Sequence, residues 1–118
     1  MTGLDHGDSP VYLKLRATIA AAILRGEFRA GDQLPSVRAL AAEHGANPLT
    51  VAKAYQSFQD DDYVEVRRGV GMFVLEGAVE RLRIAERDRF LTSQWPRIRA
   101  QIDLLDLDLA RLLDRETA

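Results

Sequence analysis

A chain of 118 residues, 47% of them hydrophobic, holds one compact core and a small appendage, and leaves little room for an enzyme's substrate pocket beside a binding module. With no cysteine, disulfides and thiolate metal sites are excluded. A net charge of −2 confines any phosphate-binding surface to one face, with Asp60-Asp61-Asp62 behind and Lys53, Arg67 and Arg68 in front. The stretch Met1–Asp8 is polar, without an apolar run or basic start, and nothing approaches the ~18 apolar residues of a membrane span. A soluble cytoplasmic protein is the expectation.

Ser9-Pro10 opens a first helix: the serine oxygen accepts from a free amide, and proline suits the first helical position. Tyr12, Leu15, Ile19 and Ile23 recur at spacings of three and four, which predicts a helix over 10–25 ended by Gly26. Gly31–Pro35 reads as a turn leading to Ser36, the N-cap of a helix over 36–44 that turns Val37, Leu40 and Ala41 inward. Gly45-Ala46 breaks it. Asn47-Pro48 starts a third helix by the same cap-then-proline logic, with Val51, Tyr55 and Phe58 as its buried stripe. Leu49, Thr50, Ala52, Lys53 and Gln56 lie off the stripe or at its margins. Two short helices joined by a glycine-containing link form a helix-turn-helix.

After Asp60-Asp61-Asp62 the texture becomes β-prone. Tyr63–Arg67 and Met72–Leu75 flank Arg68-Gly69-Val70-Gly71, which predicts a β-hairpin wing whose glycines supply the positive φ of a tight tip. Gly77 marks a boundary. The remainder, 78–118, reads as helical, and Ile98, Ile102, Leu105, Leu109 and Leu112 alternate spacings of four and three in a short heptad-like seam. So short a domain has little surface to bury that seam against, so it is assigned to dimerisation. Trp95-Pro96 either kinks this tail or starts a new helix, and Asp108 offers a cap for a last helix over 108–115. The fold class is therefore α+β: a winged helix-turn-helix of three helices and a hairpin over 9–76, then a short all-α dimerisation tail over 78–118.

Catalytic chemistry finds no foothold. His6 and His44 lack further ligands at metal spacing, and His44 reads as a partner for helix-end carbonyls. Ser9, Ser36, Ser57 and Ser93 sit in caps or helices away from any His–acid pair. Tyr12, Tyr55 and Phe58 read as core, and the aspartate run as a solvated turn. No cofactor, metal or catalytic residue is expected.

The run Gly31-Asp32-Gln33-Leu34-Pro35-Ser36-Val37-Arg38-Ala39-Leu40-Ala41, then Asn47–Tyr55, then Val66–Val74, resembles in order the DNA-binding domain of GntR-family regulators. The forty residues beyond it are similar to the two-helix dimerisation appendage of the YtrA-like subfamily, whose members are repressors encoded beside ABC transporter operons. The resemblance implies that Arg38 contacts DNA, that Thr50 is a polar contact near the start of the recognition helix, and that Arg68-Gly69 enter the adjacent minor groove. Two positions depart: Ala52 stands where many relatives carry an arginine, with Lys53 beside it, and Val70 replaces a frequent wing cation. Strand alternation turns Arg67 the other way from Arg68.

Physical reasoning points to the same surface. The N-terminal residues of a helix laid in the major groove reach base edges, and the free amides at Asn47–Leu49 suit a phosphate. The interface expected is Ser36, Arg38, Asn47, Leu49, Thr50, Lys53, Arg67, Arg68 and Gly69, facing duplex DNA. The function expected is a homodimeric repressor on a near-palindromic operator, with half-sites roughly 34 Å apart. Its effector stays unassigned. The alternative is a winged helix that docks a protein, favoured by the acidic net charge and by Ala52. For Arg38 the alternative is a salt bridge to Glu43 or Asp32.

Overall fold

The computed structural model describes residues 9–117, so His6 and the polar opening stretch lie outside it. Along the chain it runs α1 (Pro10–Leu24), α2 (Val37–His44), α3 (Pro48–Asp60), β1 (Val64–Arg67), β2 (Gly71–Val74) and α4 (Ala78–Arg89). A π-helical segment (Phe90–Gln94), α5 (Trp95–Leu104) and α6 (Leu109–Thr117) follow. Two compact units divide inside α4, one ending at Arg83 and the other starting at Ile84.

Helices α1, α2 and α3 each start on the cap expected from sequence. The Ser9 Oγ accepts from the Tyr12 amide at 3.2 Å, the Ser36 Oγ from Ala39 at 3.0 Å, and the Asn47 Oδ1 from Leu49 at 2.8 Å. All three also end alike. At Gly26, Gly45 and Asp62 the backbone turns left-handed, and the next residue's amide reaches back to close the last helical turn. Those closing bonds run from Glu27 to Ala22, from Ala46 to Ala41 and from Tyr63 to Phe58, at 2.9–3.0 Å. The aspartate run therefore does more than face solvent. The Arg81 guanidinium donates to the Asp62 carbonyl at 2.6 Å and the Asp61 carbonyl at 3.5 Å, and lies 5.5 Å from the Tyr63 ring centroid.

The core joins Leu15, Ile19 and Ile23 of α1 to Leu40 and Ala41 of α2, and to Val51, Ala54, Tyr55 and Phe58 of α3; Val64, Val74 and Leu82 close it. One charge enters this layer. Arg16 is buried, with its Nε donating to Ser57 Oγ at 3.3 Å, its Nη2 3.8 Å from Asp61, and its guanidinium 4.9 Å over the Phe58 ring. A buried guanidinium needs such partners, because leaving it unpaired costs several kcal/mol.

The hairpin is antiparallel, pairing Val64 with Val74 and Arg67 with Gly71. A third segment, residues 31–34, lies along β2: the Gly31 amide donates to Val74 at 2.7 Å, Val74 to Asp32 at 2.9 Å, and Leu34 to Met72 at 2.8 Å. Sequence patterning shows this segment only as a turn.

In the second unit, Trp95-Pro96 does not break the rod. Proline has no N–H to give to the preceding turn, and the helix absorbs the loss by widening over Phe90–Gln94 before α5 resumes. The heptad-like spacing from Ile98 to Leu112 runs across two helices, the second of them starting at the Asp108 cap. α5 stops at Leu104, where Asp106 turns left-handed at φ 57° and the Leu107 amide closes onto Ile102 at 2.9 Å. Asp108 then starts α6, its Oδ1 accepting from Ala110 at 3.0 Å. Ile98 and Ile102 thus belong to α5, Leu105 to the turn, and Leu109 and Leu112 to α6. No helix among the described residues is long and apolar enough to cross a membrane.

Candidate nucleic-acid interface

Three elements of the first unit supply the expected contact residues, and each is held by a different device. The recognition helix α3 is fixed through its inner face, where Val51, Ala54 and Phe58 are wholly buried. Its outer flank of Leu49, Thr50, Ala52, Lys53 and Gln56 lines one shallow surface concavity. Leu49 is 74% exposed at the first turn. No other element of the first unit lines that concavity, which leaves the helix N-terminus and its polar margin exposed.

The link between α2 and α3 is short, and Tyr55 adds a second tie between α3 and the chain ahead of α2. Its hydroxyl donates to the Pro35 carbonyl at 2.7 Å, tying α3 to the segment that leads into α2. Burial, and secondarily the nearby Glu43 carboxylate, push the Tyr55 hydroxyl up to about 12, so it stays a donor throughout the neutral range. Tyr55 is therefore core and brace together.

Ser36 and Asn47 cap α2 and α3 with one side-chain oxygen each. The Ser36 hydroxyl proton and the Asn47 amide group remain as donors toward the outside. Arg38 is exposed in the first turn of α2 and makes no hydrogen bond or ion pair among the described residues; the salt bridges to Glu43 or Asp32 do not form. Glu43 lies instead 3.8 Å from His44 Nε2. Thr50 is half-buried and Lys53 exposed, and Lys53 already has a partner within the chain.

The wing separates its two arginines. Arg67 folds back on the hairpin: its Nη2 and Nε each lie 3.1 Å from a Glu65 carboxylate oxygen, and its guanidinium stacks 4.0 Å over the Phe73 ring. Glu65 and Phe73 are cross-strand neighbours, so the stack follows from the register. Arg68 sits in the tip turn, exposed and without a partner among the described residues, beside Gly69 at φ 78°. Of the two cations, Arg68 is the one available to an external anion.

Among the described residues no group of three or more His, Cys, Asp or Glu side chains is placed to hold a metal ion. Sequence reasoning missed Arg16, Arg81 and the Gln33 side chain. Arg16 carried a detectable signal, a lone cation one residue past Leu15 on the apolar stripe of α1.

Three short helices and a wing, with an open recognition helix and a free arginine at the wing tip, define a winged helix-turn-helix of the DNA-binding class. The sequence profile described as "Bacterial regulatory proteins, gntR family" matches residues 11–74, more than half of the chain. The chain belongs to that family, among its YtrA-like members. It is 39% identical over 73 residues to the HTH-type transcriptional repressor YtrA of Bacillus subtilis, a match covering 62% of this chain and 56% of that one. The chain thus spans little more than half the length of that curated relative. The solved structure of YtrA from Sulfolobus acidocaldarius, a GntR-family transcription factor, is similar at TM-score 0.54 and 32% identity, over 75% of this chain and 93% of its own. A GntR family transcriptional regulator from Listeria monocytogenes shares the fold over 93% of this chain and 95% of its own, at TM-score 0.70 and 23% identity.

Proposed function

We propose that the chain is a homodimeric repressor that closes on a near-palindromic operator, with α3 of each copy in successive major grooves and each wing tip in the flanking minor groove. The carrying observation is the pairing of an uncovered α3 flank with an unpartnered Arg68 on the wing. Thr50, Lys53 and the Asn47 amide supply polar contacts, and Leu49 and Ala52 suit thymine methyl groups. Arg38 and Ser36 fix the register on phosphates. Arg68 and Gly69 take the minor groove, where potential is most negative when the groove is narrow. Arg67 reaches a phosphate only by leaving Glu65 and Phe73, so its contribution is the smaller.

Dimerisation falls to the second unit, where Ile98, Leu105 and Leu109 stay exposed and Ile102 and Leu112 are only half-buried. Leu104, at the end of α5, is also exposed, at 82%. A second copy covers these side chains. Repression then follows from occluding a promoter, and by analogy with YtrA-like repressors the controlled genes form a neighbouring ABC transporter operon. A gel shift with DNA upstream of the chain's own operon tests this: a salt-sensitive band at dimer stoichiometry is expected. Absent or salt-insensitive binding would favour the protein-docking alternative, for which the exposed Leu49 speaks.

A further inference from the structure

The wing tip is not held by the hairpin alone. Between Arg67 and Gly71 the chain makes a three-residue turn closed by one backbone bond, Val70 to Arg67 at 2.9 Å. A two-stranded ribbon of four-residue strands is marginal by itself. The Gln33 side chain crosses from the segment along β2, and its Nε2 donates to the Val70 carbonyl at 2.9 Å. Gln33 also forms a backbone bridge with Phe73. The fit is close on the other side too. Gly71 holds φ 149°, and a Cβ there would strike the Gln33 amide nitrogen itself.

We propose that Gln33 is a wing-positioning residue, whose amide fixes the Val70 carbonyl and so holds the Arg68-Gly69 tip in the orientation that DNA meets. Because Gln33 lies three residues before the Ser36 cap, the brace joins the wing tip to the entrance of α2. An unbraced tip samples other orientations, and Arg68 then loses affinity to the cost of ordering on binding. Val70 has no cation to offer, which makes placement of Arg68 the more important. The inference rests on the reading that the wing contacts DNA.

The test uses the full chain and a duplex selected from random sequence. Gln33→Met keeps the length and apolar stem and removes the amide. Operator affinity is expected to fall about 3- to 10-fold with a salt slope near that of wild type, while loss of this exposed bond lowers the thermal midpoint by no more than about 5 degrees. In an Arg68→Ala background the same substitution is expected to cost less than about 2-fold, since the contact it positions is already gone. Backbone order at Gly69–Gly71, measured by NMR without DNA, should drop in Gln33→Met while the helices stay rigid. Unchanged tip order, or an undiminished cost in the Arg68→Ala background, overturns the brace. An Arg68→Ala protein with wild-type affinity and salt slope instead overturns the wing–DNA reading, and the brace with it.

Discussion

Replacing Arg68 by alanine and measuring operator affinity from 50 to 200 mM salt separates its role from that of Arg67. Each phosphate neutralised on B-DNA contributes about 0.9 to the slope of log affinity against log salt. A dimer loses two contacts per duplex, so Arg68→Ala should flatten the slope by about 1.8. Over that fourfold range of salt, wild-type affinity then falls about 12-fold more than the variant's. Arg67→Ala should do much less, because its guanidinium is held by Glu65 at 3.1 Å and stacked on Phe73 at 4.0 Å. Fluorescence anisotropy with a labelled duplex at four or five salt concentrations resolves the difference. A change near 0.9 would place a single copy on the duplex. An unchanged slope for Arg68→Ala, or a larger effect for Arg67→Ala, would refute the division of the two arginines.

Ser36→Ala should lower stability by about 1 kcal/mol through loss of the α2 cap, read as a lower denaturant midpoint. Ser36→Asp keeps the cap and should instead weaken DNA binding, since it puts a negative charge toward phosphate. Tyr55→Phe removes the bond to the Pro35 carbonyl and should cost about 1 kcal/mol at neutral pH. The native hydroxyl titrates near 12 and the unfolded one near 10, so the proton is held more tightly when folded. That stabilisation is full below about pH 10 and is lost as pH rises toward 12. The rise from 10 to about 12 corresponds to about 2.7 kcal/mol, more than the roughly 1 kcal/mol of the bond, so the denaturant midpoints of wild type and Tyr55→Phe should converge and then cross in that window. Parallel midpoints across that window would remove the burial argument. Leu105→Glu with Leu109→Glu should yield monomers by light scattering, with operator affinity reduced at least tenfold by loss of the second half-site.

Most of the first unit was legible because its signals are local. Ser9-Pro10, Ser36 and Asn47-Pro48 start helices by side-chain chemistry alone, and Gly26 and Gly45 end them by permitting a left-handed residue. Asp62 and Asp106 perform the same ending, yet aspartate adopts that conformation far less readily than glycine, so the Asp108 cap offered a last helix while the place where α5 stops stayed open. The widened turn at Phe90–Gln94 was hidden for a related reason: proline signals a disturbance without saying whether the helix ends or stretches. Site chemistry divides similarly. The openness of α3 and Arg68 followed from periodicity and tip glycines. The stacking of Arg67 on Phe73 needed the strand register, and the reach of Gln33 to Val70 spans 37 residues that no local pattern connects.

Groove-resolved footprinting of the intact protein on a selected duplex bears most directly on how this regulator meets DNA. Two purine-N7 protections in the major groove, one helical turn apart, should be flanked by minor-groove protections that vanish in Arg68→Ala. One patch of protection, or minor-groove signals indifferent to Arg68, would contradict the two-fold winged clamp.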